Sequence, residues 1–139
     1  MRKMKNSKGF TLMEMLIVVA IIAVLIAIAI PTFNASLNRA RVATDQANIR
    51  SGYASFMADI LANEKFDTNA TYYLQKDGGV ETTDTNAYTC VGKQANSSEI
   101  AGLTVKEWDK GAKVTYKVTG NENDKVNVKI DIVDATGNP

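Results

Sequence analysis

One unbroken run of apolar side chains, from Met15 to Ile30, dominates the pattern near the N-terminus. Counted from Phe10 to Ile30, the segment has 21 residues, enough for an α-helix of about 31 Å at ~1.5 Å per residue. That length matches the ~30 Å hydrocarbon thickness of a bilayer. Because leucine, isoleucine, valine and alanine fill every side, such a helix has no polar face to turn toward water. The pattern predicts a membrane-spanning helix.

Helical periodicity continues beyond Pro31, to about Asn63, although a proline inside a helix removes a hydrogen bond and bends it. The whole helix would be about 80 Å long at ~1.5 Å per residue. Two stripes indicate two packing partners, the chain's own sheet and neighbouring copies; one broad core face fits the periodicity equally well. Charged side chains, Asp45 among them, fill much of the remaining surface. The first stripe is Phe33, Leu37, Ala40, Ala47, Ala54, Met57 and Leu61, and the second is Val42, Ile49, Tyr53, Phe56 and Ile60.

After the helix, the sequence has turn-forming residues and then segments in which apolar and polar residues alternate, as they do in β-strands. Turn-forming residues fill 64–96, with a short helical or strand-like piece at 72–74 and a β-type run at 88–91. Strict alternation over 113–119 and 125–132 predicts two strands, and residues 120–124 between them fit an antiparallel hairpin. One apolar face per strand indicates a sheet covered on one side, by the second half of the helix. The predicted fold is α+β, a long N-terminal α-helix packed against a small antiparallel β-sheet.

One further local motif, the sequence Thr-Val-Lys-Glu at 104–107, reads as a capping box. It predicts a helical turn that carries Trp108. We expect the indole of Trp108 to plug the edge of the helix–sheet interface rather than to stack on a ligand.

Composition excludes several kinds of site. The chain has no histidine and one cysteine, Cys90, so it can form no zinc cluster, Cys–His pair, histidine-based triad or internal disulfide. It also lacks a phosphate-binding glycine motif. Residues 121–124, with Asp131 and Asp134 nearby, have the oxygen ligands that calcium takes but match no EF-hand spacing. We therefore predict no enzymatic activity, no cofactor and no metal.

Charge is concentrated at the N-terminus. Residues 1–9 contain four of the 16 basic residues and no acid. Such a basic flank stays in the cytoplasm, so the rest of the chain would lie outside. Without these residues the formal charge falls from +1 to −3. A net negative chain lacks the basic surface that is typical of nucleic-acid-binding proteins.

Glu14 interrupts the apolar pattern, and an ionised carboxylate there costs about 2–4 kcal/mol in a membrane. Three processing routes compete. A signal peptidase could cut after residues 27–29 (Ala-Ile-Ala), or the chain could stay uncut as a plain anchor. A cut between Gly9 and Phe10 would instead retain the apolar helix and create an α-ammonium group on Phe10. Only this third route supplies a partner for Glu14, on a neighbouring copy.

The sequence Lys-Gly-Phe-Thr-Leu-Met-Glu at 8–14, followed by an apolar run that ends at Pro31, resembles the N-terminus of type IV pilins and their pseudopilin relatives. The resemblance implies that a prepilin peptidase cuts between Gly9 and Phe10 and that Phe10 becomes N-methylated. It also implies that Glu14, Thr11 and Pro31 serve assembly. The lone cysteine departs from the many Gram-negative pilins with a C-terminal disulfide and favours the type found in Gram-positive or anaerobic bacteria.

On this resemblance the chain divides into a cleaved leader (1–9), a transmembrane and filament-core helix (10–31), an amphipathic half (32–63), a connecting loop (64–96) and a sheet region (97–139). The implied function is a structural subunit of a type IV pilus, held in the cytoplasmic membrane and then polymerised into a surface filament for motility, adhesion or biofilm formation. The implied partners are other pilin subunits, the prepilin peptidase, and the assembly platform with its motor. A type II secretion pseudopilin, a competence pilin and, more remotely, a monomeric membrane-anchored binding domain are the alternatives.

Overall fold

The computed structural model describes residues 8–63, 67–119 and 126–139. Contacts divide the chain into two units, Met1–Leu37 and Asn38–Pro139. One helix, α1 (Leu12–Asn63), includes Pro31 without interruption and supplies residues to both units. The predicted long helix is therefore confirmed.

Among the residues that the structure describes, the second unit contains six strands. A four-stranded antiparallel sheet has the order β2-β1-β5-β6, so β1 and β5 are its central strands. Strands β3 and β4 form a separate hairpin. The strands are β1 (Tyr72–Leu74), β2 (Val80–Glu81), β3 (Ser98–Ile100), β4 (Leu103–Val105), β5 (Lys113–Thr119) and β6 (Asn127–Val133).

Strands β5 and β6 follow the predicted alternation. Val114, Tyr116 and Val118 are buried on β5, and β6 buries Val128, Ile130 and Ile132 opposite them. The hairpin predicted between these strands, residues 120–124, lies outside the described residues, as does the 121–124 part of the calcium-like cluster. The pairing of the two strands themselves is confirmed.

Helix α1 packs on this sheet through one of its two apolar stripes. Val42, Ile49, Phe56 and Ile60 are buried in the core with the sheet residues. Along the other stripe, Ala40, Ala47, Ala54 and Leu61 are exposed and Met57 is half-buried. The structure therefore favours two separate stripes over one broad core face.

Tyr116 joins the central strand to the helix. Its hydroxyl donates a 2.8 Å hydrogen bond to the backbone oxygen of Ile49, and its ring lies 5.6 Å from that of Phe56. Gly52 makes room for this contact, because a Cβ there would lie 2.5 Å from the Tyr116 hydroxyl oxygen. Glycine in a helix interior destabilises the helix by up to ~1 kcal/mol relative to alanine. In return, its lack of a side chain lets the central strand β5 pack closely against α1.

Three local expectations are corrected. The predicted helical turn after Thr104 is wrong, because Thr104 pairs with Glu99 in the β3–β4 hairpin. Positive φ angles of 54° at Ala101 and 77° at Gly102 are those of a two-residue type I′ turn, and the hairpin overrides the capping motif. The run at 88–91 forms an isolated bridge at Thr89 rather than a strand. The segment 72–74, predicted as a helical or a strand-like piece, is the strand β1, so the strand-like alternative is confirmed.

Asp45 is the third correction, since it is completely buried rather than part of the charged surface. Trp108 is also buried, and its indole donates to Asp45. The expectation that Trp108 plugs the interface is confirmed.

We expect the fold to be sensitive to alkali, because it buries groups that must lose protons at high pH. Burial raises the pKa of Cys90 from 9.0 to about 12 and that of Tyr88 from 10.0 to about 12, and it raises the pKa of Tyr116 as well. The unfolded chain releases these protons first, so stability is full below pH 9 and falls as the pH rises toward 12. Trp108 fluorescence against pH measures this loss. A Cys90→Ala variant should begin to unfold nearer pH 10, where the tyrosines titrate; identical curves for both proteins would contradict the assignment.

Candidate functional site

The site predicted from the sequence lies at the start of α1. Gly9 and Phe10 precede the helix in exposed backbone without regular secondary structure, and Thr11 occupies the N-cap position before Leu12. The structure thus places the predicted cleavage point just outside the first helical turn. A peptide bond in exposed, irregular backbone is open to an enzyme, whereas one inside a helix is not.

Thr11 and Glu14 form a reciprocal capping box. The backbone N–H of Glu14 donates to the Thr11 hydroxyl at 3.2 Å, and the backbone N–H of Thr11 donates to Glu14 Oε2 at 2.8 Å. Two of the otherwise unpaired donors at the helix N-terminus are satisfied in this way. The positive end of the helix dipole also favours a carboxylate in the first turn. Neither contact was anticipated from the sequence, although the Thr-x-x-Glu pattern was visible there.

The capping box leaves part of the Glu14 carboxylate available. Oε2 receives the Thr11 N–H, and no hydrogen bond among the described residues involves Oε1. Phe10, the residue that would carry the new amino group, is 82% exposed. The geometry thus holds the carboxylate at the helix start with one oxygen free to accept a further donor.

The apolar helix that follows is uncovered. Among the described residues, one helix is long and apolar enough to cross a membrane, and the apolar window that qualifies it has no buried residue. Its large apolar side chains include Leu16, Ile22, Leu25 and Ile28, all exposed. Water is a poor solvent for such a surface, since burial of apolar area is worth about 25 cal/mol per Å². The segment requires lipid or other apolar helices around it.

Pro31 lies on this helix together with a polar neighbour. It has no N–H to donate to the oxygen of Ala27. The hydroxyl of Thr32 donates to the backbone oxygens of Ala29 at 2.9 Å and Ile28 at 3.3 Å. The hydroxyl is therefore satisfied within the helix and is not left as an unpaired polar group in an apolar segment.

The second unit offers a cavity of about 430 Å³ next to Trp108 and the segment 134–139. An exposed ion pair, Lys93 Nζ to Asp109 Oδ1 at 2.8 Å, lies on its rim.

The described residues contain no group of three or more His, Cys, Asp or Glu side chains that could hold a metal. Asp131 pairs with Lys129, and Asp134 accepts hydrogen bonds from Thr136 and Asn138.

Comparison with known proteins places the same N-terminal segment in a family. Residues 4–30 match the family model described as the prokaryotic N-terminal methylation motif. The chain is 35% identical over 101 residues to the type IV major fimbrial protein FimA of Dichelobacter nodosus, covering 72% of this chain and 60% of the relative. It is 34% identical over 95 residues to the type IV wide pilus major component PilA4 of Thermus thermophilus, covering 68% of this chain and 71% of the relative. No solved structure matches.

The match to FimA spans less than two thirds of that protein, whereas the match to PilA4 extends over most of both chains. These relatives are named as filament components and not as enzymes. The methylation motif, the uncovered apolar helix and the packing of its second half on an antiparallel sheet agree with the resemblance seen in residues 8–14. The chain belongs to the type IV pilin family.

Proposed function

We propose that this chain is a structural subunit of a type IV pilus that is held in the cytoplasmic membrane as a prepilin. In this proposal a prepilin peptidase cuts between Gly9 and Phe10, Phe10 is N-methylated, and the mature subunit polymerises into a surface filament. The single observation that carries the proposal is the exposed junction at Phe10 next to the capped carboxylate of Glu14. Four basic residues before the junction keep the leader in the cytoplasm.

Subunit docking follows from charge pairing in an apolar environment. Cleavage creates an α-ammonium group on Phe10, and the free Oε1 of Glu14 on a neighbouring copy would accept its N–H. An unpaired charge buried in an apolar environment costs several kcal/mol, and the attraction between opposite charges is strong where the dielectric constant is low. A subunit docked one step out of place leaves both charges unpaired. The pair therefore sets the axial register of the filament.

The exposed stripe of α1 supplies the second contact between subunits. Ala40, Ala47 and Ala54 are small and exposed on the side of α1 away from the sheet, so another helix can approach closely there. Lipid shelters the apolar half of α1 about as well as neighbouring helices do, so the net hydrophobic gain of assembly is small. This is why the proposal includes an assembly platform and a motor that extracts each subunit from the membrane.

The N-terminus of material sheared from cells tests the proposal. Mass spectrometry should find a peptide that begins at N-methylated Phe10. A chain that begins at Ile30 would instead support a signal peptide cut after Ala29, and an intact Met1 in membrane-bound protein would support the monomeric anchored domain. A Gly9→Val variant is the matched control, because a branched side chain next to the scissile bond should block the cut and leave the chain in the membrane.

A further inference from the structure

The segment Tyr88–Lys93, called the strap here, packs along α1 with little regular secondary structure of its own. It lies inside the predicted connecting loop (64–96), yet Cys90 and Gly92 are buried. Backbone hydrogen bonds of 2.8 Å join Cys90 to Gly111 and Ala112 on one side. On the other side, side chains of α1 make the hydrogen bonds to the strap.

Asp45 receives four hydrogen bonds at the centre of these contacts. Its Oδ1 accepts from the Tyr88 hydroxyl at 2.6 Å and from the Val91 N–H at 2.9 Å. Its Oδ2 accepts from the Gly92 N–H at 2.8 Å and from the Trp108 Nε1–H at 3.3 Å. All of the donors lie at least 43 positions away in sequence, so one carboxylate ties the helix to two distant segments.

The N-terminal end of α1 within this unit makes a second attachment. Asn38 Nδ2 donates to the backbone oxygen of Lys93, and the Lys93 N–H donates to Asn38 Oδ1, both at 2.9 Å. Between Asn38 and Asp45, Gly92 lies so close to α1 that a Cβ on it would be 2.7 Å from the backbone nitrogen of Val42. Asn38, Val42 and Asp45 are one to two helical turns apart, so they hold the strap along a single face of α1.

We propose that the strap is a latch that closes as one unit on the Asp45 carboxylate, in place of a covalent cross-link. Cys90 is the only cysteine in the chain, so no internal disulfide can restrain this loop. A buried carboxylate with both oxygens fully used is specific, because an amide in its place keeps one oxygen and presents N–H groups to two donors. The latch depends on the second unit alone and not on filament assembly.

Cys90 reports whether the latch is open. Cys90 is 2% exposed, and burial, followed by the negative charge of Asp45, raises the pKa of its thiol to about 12. A closed strap therefore keeps the thiol protonated and inaccessible to a maleimide at pH 8, whereas an open strap exposes it to solvent.

The experiment measures maleimide labelling of Cys90 in the full chain, purified in detergent at pH 8, together with hydrogen exchange at the Val91 and Gly92 amides. Removing a buried acceptor with Asp45→Ala should speed both rates by about 10- to 100-fold while the helical circular dichroism persists. Asp45→Asn should behave like Asp45→Ala, since two donors lose their acceptor. Asp59→Ala, which removes an exposed carboxylate from the same helix, should leave both rates unchanged.

A milder change keeps the test decisive if Asp45→Ala fails to fold. Tyr88→Phe removes one hydrogen bond to Oδ1 and should raise Cys90 labelling by about 3- to 10-fold with the fold intact. If Cys90 labels at the wild-type rate in Tyr88→Phe, or the Gly92 amide stays protected while Cys90 becomes reactive, the strap is not a single unit on Asp45 and the proposal is overturned.

Discussion

Cells that carry a Glu14→Leu variant are expected to make filaments at levels at least ~100-fold below wild type while the protein still inserts into the membrane. Leucine lowers the cost of placing the segment in lipid, because an ionised glutamate costs about 2–4 kcal/mol there. It also removes the proposed partner of the α-ammonium group that cleavage would create on Phe10, and an unpaired buried charge costs several kcal/mol. Since each 1.4 kcal/mol is about tenfold in an equilibrium, a loss of about 3 kcal/mol or more at the docking step lowers the filament yield by ~100-fold or more, while insertion, a separate step, becomes easier. Immunoblots of sheared and membrane fractions measure the two quantities separately.

Two further variants separate charge pairing from helix capping. Glu14→Gln keeps an oxygen for the Thr11 N–H but has no charge, so it should also fail to assemble. Thr11→Val removes the hydroxyl that caps the Glu14 N–H and keeps the charge, so it should cost only the ~1 kcal/mol typical of an N-cap. Filaments at wild-type levels in Glu14→Leu or Glu14→Gln would show that register does not depend on this carboxylate.

The Thr-x-x-Glu pattern shows where the local sequence was sufficient to predict the start of a helix and where it was not. Two of its occurrences, Thr11–Glu14 and Thr104–Glu107, lie wholly within the described residues. At the first position nothing competes with the helix, and the capping box forms. At the second, the positive φ angles of Ala101 and Gly102 close a hairpin whose pairing places Thr104 in a strand. Long apolar periodicity therefore predicted the helix and both long strands, but short motifs required knowledge of their neighbours.

Asp45 illustrates what no local pattern could supply. Charged residues on a helix usually face water, and the donors that satisfy this one come from Tyr88, Val91, Gly92 and Trp108. Only the folded arrangement of these distant segments makes its burial favourable, because a buried carboxylate needs hydrogen-bond partners. One clue was visible: Asp45 lies three residues after Val42 and four before Ile49, inside the stripe that faces the sheet. An acidic residue within a buried stripe signals a specific set of donors and not a solvated position.

Gly92→Ala is expected to destabilise the fold by about 2–4 kcal/mol. The added methyl group would collide with the backbone of α1, and the hydrogen bonds between the strap and Asp45 would weaken. The added Cβ would lie 2.7 Å from the backbone nitrogen of Val42 and 3.0 Å from the backbone carbon of Arg41. Neither atom can move without distorting α1, so the strap must lift instead. Lifting lengthens the bonds from the Val91 and Gly92 N–H groups to Asp45. Chemical denaturation of the full chain in detergent, followed by Trp108 fluorescence, measures the change.

The matched control for Gly92→Ala is Gly79→Ala. A Cβ at Gly79 would meet only the Asp77 side chain, with Oδ1 at 3.2 Å. This exposed side chain accepts a hydrogen bond from the Gly79 N–H at 2.9 Å, and it can shift by a few tenths of an ångström without losing that bond. We therefore expect a change within about 0.5 kcal/mol for the control. Equal stability of Gly92→Ala and wild type would mean that the strap can move away from α1 without cost, which would contradict both this prediction and the closed latch. A loss confined to Gly92→Ala, accompanied by faster labelling of Cys90, would place the strain between the strap and the helix, where the close approach to Val42 requires glycine.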